Sequence, residues 1–331
     1  MSNNKKNKFY GVNDDLWGHK WGFKDSSFII NDDNTVTFTG KRYEGISGER
    51  LPYLIPFVTK VLNTDIKKEP YFKEVVKKYV TERKINQDFV NDIESSFNED
   101  QISFSDEERV LHSHGQNSPD EVFKVLYDKL EKFTDIVVYV ENEEDVINLI
   151  EKAKKHNVCL VPYGGGTNVT NALQLPEDEE RMIVSVDTRR LNKIISIDTK
   201  NLLIEVEAGI TGKHLEEELQ KKGFTVGHQP DSIELSTLGG WISTNAAGMK
   251  KNKYGNIEDI VQNVVMVTPN GTINQIKPLV RSSIGIKTQN LLFGSEGNIG
   301  IITKAVLKIH KLPECSDYES VVLKDWDTGL D

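Results

Sequence analysis

Val158-Cys159-Leu160-Val161-Pro162-Tyr163-Gly164-Gly165-Gly166-Thr167-Asn168 is the stretch on which the fold turns. A short apolar run bounded by turn residues reads as a buried strand. It runs directly into three consecutive glycines. Without side chains there, backbone N–H groups can point into one concavity, as an anionic diphosphate requires. Thr167 and Asn168 add polar groups beside them. An ordinary strand-to-helix turn rarely needs three glycines in a row. The motif is not the G-x-G-x-x-G dinucleotide fingerprint, because Val169 stands at the sixth position counted from Gly164. Nor is Gly212-Lys213 a P-loop, since Glu207 stands five positions before Gly212 and His214 follows the lysine.

Upstream, Ile136-Val137-Val138-Tyr139-Val140 is a second buried strand, and Glu143-Glu144-Asp145 opens an amphipathic helix carrying Val146, Ile147, Leu149 and Ile150. Together with the first strand this is a β-α-β unit ending in glycines. Ser118-Pro119-Asp120 starts an earlier helix, with proline in its first turn. Downstream, Met182 to Val186, Leu202 to Val206, Val264 to Val267 and Gly300 to Ile309 read as strands, and Gly212 to Lys222 as a short helix. Nearer the N-terminus, Ser27 to Ile30 and Thr35 to Phe38 flank the polar turn Asn31-Asp32-Asp33-Asn34, a β-hairpin pattern. Residues 55 to 100 read as helical, with Phe72, Val75, Val76 and Tyr79 at helix spacing, before the polar break at Asn98-Glu99-Asp100.

Three further segments share the small-residue character of the glycine loop: Pro230-Asp231-Ser232-Ile233-Glu234-Leu235-Ser236-Thr237-Leu238-Gly239-Gly240, Ser243-Thr244-Asn245-Ala246-Ala247-Gly248, and Gly294-Ser295-Glu296-Gly297-Asn298-Ile299-Gly300-Ile301-Ile302-Thr303. Small, hydroxyl-rich backbone lets a flat ligand and its phosphates approach closely. The last of them is a weak signal alone and a strong one in company with the others. The carboxylates of Tyr254-Gly255-Asn256-Ile257-Glu258-Asp259 suit a helix N-terminus better than acid–base chemistry.

Composition narrows the function. A net charge of -10 over 331 residues argues against nucleic acid as a partner. Two cysteines, Cys159 and Cys315, cannot build a disulfide framework or a cysteine-rich metal site, and Cys159 in its apolar run reads as a buried thiol. His112 and His114 form an H-x-H pair, but zinc needs three or four ligands and no further Cys or His cluster lies near, so no metal is expected. His228 adjoins the second small-residue segment, which leaves packing and proximity to the bound ligand both open. Trp17 and Trp21 could stack a ligand, though aromatic clusters more often build core, and the lysine-rich face from Lys67 to Lys78 reads as a solvated helix face that could also meet a membrane surface. No stretch approaches the length of a membrane span.

The four small-residue segments, in this order and spacing, resemble the flavin domain of the vanillyl-alcohol oxidase-type flavoproteins. Within that group the chain looks like the alkyldihydroxyacetonephosphate synthase family. The residues that carry this are Thr39-Gly40-Lys41-Arg42-Tyr43, His112-Ser113-His114-Gly115, Glu207-Ala208-Gly209-Ile210-Thr211-Gly212, Gly227-His228-Gln229-Pro230-Asp231-Ser232 and the run from Gly248 to Asp259. The similarity extends from about Trp17 to Pro313. FAD-linked oxidases or dehydrogenases of 2-hydroxy acids share the glycine segments but not the first and last of these. A non-catalytic flavin-binding paralogue is the other alternative.

The resemblance implies an α+β fold, an FAD-binding domain of two α/β subdomains (vanillyl-alcohol oxidase/PCMH type) with an N-terminal hairpin and helical region. The expected boundaries are 1–117 for that N-terminal region, 118–315 for the FAD-binding domain and 316–331 for the start of a truncated cap domain. By motif, the FAD contacts would be Pro162, Tyr163, Gly164, Gly165, Gly166, Thr167 and Asn168; Pro230, Asp231, Ser232, Ile233, Glu234, Leu235 and Ser236; Thr244, Asn245, Ala246 and Ala247; and Glu296, Gly297, Asn298, Ile299, Gly300, Ile301 and Ile302. The implied substrates are acyl-dihydroxyacetone phosphate and a long-chain fatty alcohol, exchanged without net oxidation, with the flavin as electron sink. The implied compartment is the peroxisome, although Gly329-Leu330-Asp331 is not a Ser-Lys-Leu-type address. The family's catalytic histidines, tyrosine and arginine would belong to a second half beyond residue 331, so no catalytic residue is assigned. Loss of that half would expose an apolar flavin-facing patch and favour a homodimer. Arg281-Ser282-Ser283-Ile284-Gly285-Ile286-Lys287 departs from the family, which has Ser-Thr-Gly-Pro-Asp there.

Overall fold

The computed structural model describes residues 16–17, 21–41, 43, 45–66, 80–274, 283, 285 and 288–330. The helical stripe expected at Phe72 to Tyr79, the Lys67 to Lys78 face, Arg42 and most of Arg281 to Lys287 lie outside the described residues.

The hairpin forms as β1 (Ser27–Ile30) and β2 (Val36–Thr39), extended antiparallel by β3 (Arg50–Leu51). Its turn is closed by Asn31, whose side-chain amide donates to the hydroxyls of Thr35 and Thr37 at 2.9 Å. Helices α1 (Leu54–Leu62) and α2 (Gln87–Glu94) follow. Between them Lys84 N–H donates to Asp135 at 2.7 Å, and Asn86 caps α2 by accepting from Phe89 N–H at 3.1 Å. Asn63 in the left-handed region ends α1 and Asn86 fixes where α2 begins, so the 55–100 region is not continuously helical among the described residues.

The first sheet contains β4 (Ile102–Ser103), β5 (Ile136–Tyr139), β6 (Cys159–Tyr163) and β7 (Ile183–Asp187) in the order β4-β5-β7-β6. The pairs β5–β7 and β7–β6 are parallel, and β4 is antiparallel to β5. β5 and β7 are buried along their whole length, as parallel strands covered on both faces must be. Helices α3 (Asp106–Leu111) and α4 (Pro119–Leu126) precede β5, and α5 (Glu143–His156) makes the crossover to β6. The sequence of α5 specifies both of its ends. Asn142 accepts from Asp145 N–H at the N-cap, and acidic residues fill the first turn. Lys154, Lys155 and His156 occupy the last turn, and Asn157 stops the helix in a left-handed conformation. Val146, Leu149, Ile150 and Ala153 form its buried stripe. Cys159 is half-buried rather than fully enclosed, because β6 lies at the sheet edge.

The second sheet is antiparallel throughout, ordered β12-β11-β13-β9-β8. In chain order its neighbourhood comprises β8 (Ile194–Asp198), β9 (Leu203–Glu207), α6 (Gly212–Gln220), β10 (Phe224–Thr225), α7 (Leu238–Ser243), α8 (Lys251–Tyr254), α9 (Ile257–Ile260), β11 (Val261–Thr268), β12 (Gly271–Ile273), β13 (Ile301–Lys308) and β14 (His310–Lys311), the last pairing with β10. Asp259 accepts from Asn256 N–H at 3.0 Å at the start of α9, which gives Asp259 the helix-start role read from the sequence. Ile204, Val206, Leu215, Leu219, Trp241, Ile257 and Leu307 belong to one core under this sheet.

The two sheets meet along α5. Val267 of β11 and Ile301 of β13 join the core of the first sheet. Thr303 donates to Glu143 at 3.0 Å, and Lys304 lies 3.2 Å from the same carboxylate. The small-residue segments gather at this junction. Among the described residues no helix is long and apolar enough to cross a membrane.

Candidate functional site

A cavity of about 360 Å³ opens between the two halves, in the size range of small-molecule sites. The exits of β6 and β7, the α7 segment and the loop before β13 form its wall. Pro162 to Asn168 line it continuously, and Pro230, Ser232 and Ser236 approach from the second segment. Thr244 to Ala247, Glu296, Gly297, Gly300, Ile301 and Ile302 complete the set. Four segments spaced along some 140 residues of chain therefore share one wall, by the span from Pro162 to Ile302.

The glycines are required by packing. A Cβ on Gly165 would lie 2.0 Å from the carbonyl oxygen of Leu235 and 3.0 Å from Cα of Ser236, so the loop presses against the second segment backbone to backbone. Gly166 adopts φ +67°, and a Cβ there would meet the Tyr163 hydroxyl at 2.6 Å. Gln116 N–H donates to Gly166 O at 2.6 Å, and the Trp21 indole N–H donates to Gln116 O at 2.6 Å. Asn168 turns its side chain inward to accept from Ala172 N–H at 2.9 Å. Among the described residues, the backbone N–H groups of 164–168 have no protein acceptor. A row of unspent donors at the rim of a cavity suits the oxygens of a diphosphate.

The opposite rim is tied by Glu296. Its side chain accepts from Thr170 at 2.7 Å, and its N–H donates to Ser243 O at 2.9 Å. Glu296 (φ +45°) and Asn245 (φ +50°) are both held in the left-handed region, and such strain persists where surrounding structure imposes it. Trp241 donates from its indole N–H to Ser236 Oγ at 2.8 Å, which fixes the second segment against α7.

Beneath the glycine loop lies a buried polar block. Asp187, at the end of β7, is bound by Arg189 through Nε at 3.0 Å and through Nη2. His112 sits between Glu108 O at 2.8 Å and Asp187 Oδ2 at 2.9 Å. Burial opposes ionisation of Asp187, but the Arg189 guanidinium and the His112 hydrogen bond outweigh it and hold the carboxyl well below its usual range. The Tyr163 ring packs 4.4 Å from the His112 ring and 5.1 Å from the Arg189 guanidinium, centre to centre. Burial pushes the Tyr163 phenol up. Glu121 accepts from Gly115 N–H at 2.7 Å, and burial raises its carboxyl above the ordinary value.

Asp231, Ile233, Glu234, Leu235, Asn298 and Ile299 do not line the cavity. Leu235 supplies the backbone against which Gly165 packs, Ile233 packs against Gly212, and Glu234 faces Lys213 at 4.0 Å. Val169, Thr170, Ala172, Leu173, Thr188 and Trp241 line it although no motif singled them out. Thr188 could have been found from its place just past a parallel strand, where open α/β sheets bind ligands. His228 stands apart from the cavity wall, 2% exposed, its ring 4.7 Å from Trp241; burial lowers its pKa to about 4. His112 and Asp187 share a hydrogen bond, and no group of metal-ligand side chains occurs among the described residues.

Residues 134–277 match the FAD binding domain family. Alkyldihydroxyacetonephosphate synthase of Caenorhabditis elegans is 41% identical over 312 residues, 94% of this chain and 51% of that protein. A solved alkyldihydroxyacetonephosphate synthase structure superposes with a TM-score of 0.81 at 32% identity, covering 91% of this chain and 55% of the other. The chain belongs to the alkyldihydroxyacetonephosphate synthase family. It spans about half the length of the curated relatives it matches. The mitochondrial D-lactate dehydrogenase of Kluyveromyces lactis is more distant, 31% identical over 60% of this chain and 33% of that protein. The cofactor of the family domain is FAD, and the row of free N–H donors beside small side chains fits its diphosphate.

Proposed function

We propose that this chain is the flavin-holding part of an alkyldihydroxyacetonephosphate synthase of ether-lipid synthesis, with residues 118–315 as the FAD-binding domain. The reaction exchanges the acyl chain of acyl-dihydroxyacetone phosphate for a long-chain fatty alcohol, and the compartment is the peroxisome. The observation that carries this reading is the convergence of four small-residue segments on one cavity, in a chain whose likeness to the synthases extends over 94% of its length.

Bound FAD would supply an electron sink for the exchange. The chain's own residues hold and shield it. Backbone N–H groups of 164–168 face the diphosphate, Thr188 and Ser236 supply hydroxyls, and Trp241 and Ile302 supply apolar wall. Residues past 315 lead toward a substrate-binding half. The solvent-exposed Tyr318, Val321, Val322 and Trp326 are its expected docking surface, or that of a second copy of the chain. Contact with a membrane surface would deliver the alcohol.

The test is a visible absorption spectrum of the purified chain with and without FAD, followed by an assay of fatty-acid release from acyl-dihydroxyacetone phosphate. Flavin bands retained through gel filtration support the cofactor site, and fatty-acid release dependent on alcohol supports the exchange. A folded chain that retains no flavin overturns both. Flavin retention with D-lactate oxidation and no exchange would instead favour the oxidase relatives.

A further inference from the structure

We infer that His112, Asp187 and Arg189 are positioning residues for the cofactor's diphosphate loop, acting through Tyr163. The inference rests on the reading of residues 164–168 as a diphosphate cradle. Tyr163 is the last residue before the glycines and has two kinds of restraint. Its carbonyl accepts from both Thr188 N–H and Thr188 Oγ1 at 3.0 Å, which ties it to the end of β7. Its ring lies against His112 and Arg189, and its hydroxyl reaches back to the space beside Gly166. The loop has no side chains of its own between Tyr163 and Thr167 with which to fix its shape. Gln116 and the Leu235 backbone hold it from the sides, and the Tyr163 ring supports it from below.

The block is built for that task. Asp187, Arg189 and His112 are 0%, 4% and 1% exposed. Asp187 receives His112 on Oδ2 and Arg189 on both oxygens, while its backbone pairs with β6 at Tyr163. Arg189 N–H also donates to Asp187 Oδ1 at 2.9 Å, so the chain immediately after β7 is folded back onto the same carboxylate. A buried ion pair contributes little net stability against an apolar replacement, and its best-attested use is to specify one arrangement. Here the arrangement specified is the placement of the Arg189 guanidinium against the Tyr163 ring, with Asp187 held by the hydrogen bond from position 112. None of the three charged or ring groups at the base lines the cavity itself, so their effect on a ligand has to pass through the loop.

The experiment uses the full chain. FAD binding is measured by quenching of flavin fluorescence, the environment of the bound diphosphate by its ³¹P resonances, and folding by thermal melting without FAD. Gln at position 112 can place an amide N–H near Nε2 and keep the bond to Asp187; Leu cannot. We expect His112→Leu and Asp187→Asn to weaken FAD binding about tenfold or more, the equivalent of one charge-assisted hydrogen bond, with displaced ³¹P resonances. His112→Gln should stay within about threefold of the parent, since it preserves that bond. Val125→Ala, in the buried core of α4, is the control for lost stability alone and should leave the dissociation constant and the resonances unchanged. If Asp187→Asn does not fold, the comparison of His112→Leu with His112→Gln decides. Parent-like affinity and resonances in His112→Leu overturn the inference, as does an equal loss in His112→Gln. A parent chain that binds no FAD overturns the cradle reading and the inference with it; a parent that binds FAD while His112→Leu is silent overturns the inference alone.

Discussion

Replacing Gly165 with alanine tests whether the diphosphate loop and the second small-residue segment depend on each other. The added Cβ would stand 2.0 Å from Leu235 O, 2.6 Å from Leu235 C and 3.0 Å from Ser236 Cα. All three obstacles are backbone, so no side chain can swing away. Ordinary carbon–carbon contact lies near 3.5–4.0 Å, and the two segments must separate by about 1 Å or more. Overpacking of this kind costs about 1–3 kcal/mol. For a chain of this size that corresponds to a fall in melting temperature of about 2–6 °C, using the lower sensitivities that apply to larger domains. Separation also carries Ser236 and the glycine N–H groups away from a shared ligand, so FAD affinity should fall by about tenfold or more, at roughly 1.4 kcal/mol per decade. Gly45 is the control, since a Cβ there meets nothing within 4 Å and its backbone is unstrained. Thermal melting and a fluorescence titration with FAD measure both effects. A Gly165→Ala chain that melts with the parent and binds FAD equally would falsify the argument that these segments are in enforced contact.

Ser236→Ala leaves the buried indole N–H of Trp241 without its 2.8 Å acceptor and should cost about 1–3 kcal/mol in urea unfolding; an unchanged midpoint would mean that the bond is replaced or absent. His228 carries a pKa of about 4 because of burial. Its folded value is depressed, so the unfolded chain binds the extra proton; the contribution to stability is complete above the unfolded pKa of about 6.5 and is lost as pH falls toward 4. The loss is on the order of 3 kcal/mol, and His228→Leu should unfold in urea with a visibly flatter pH dependence between 7 and 4.5 than the parent; equal slopes would assign the acid sensitivity elsewhere. Burial pushes the half-buried Cys159 thiol up, whereas Cys315 is exposed. Iodoacetamide at neutral pH should therefore label Cys315 first, and mass spectrometry showing equal rates would contradict the packing of β6.

The parts of this molecule that were legible in advance are those whose chemistry is local. The acidic start of α5, the polar turn of the hairpin and proline at the start of α4 are decided by residues within a few positions of one another. The glycine loop was legible because three adjacent residues without side chains have few other uses. What could not be read is what depends on sheet order. β6 pairs with β7 rather than with β5, and only that order brings Thr188 beneath Tyr163 and Asp187 beside His112, 75 positions away in the chain. Asp231 and Glu234 illustrate the converse. They belong to the right segment but do not line the cavity, and segment membership alone carries no such direction.

The topology also sets a schedule for assembly. The first sheet is complete by Asp187, and the antiparallel sheet begins at Ile194 and needs β13 for its centre. During synthesis the first half can collapse as soon as it emerges, whereas Glu296, which closes onto Thr170 and Ser243, arrives late. Long-range pairings of that kind are slow to form. The nascent chain therefore passes through a stage with a finished glycine loop and no far wall, and any nucleotide captured then would be held weakly. Once the late wall has closed, release of a bound flavin should require the two halves to part, so that retention is governed by opening rate more than by contact energy.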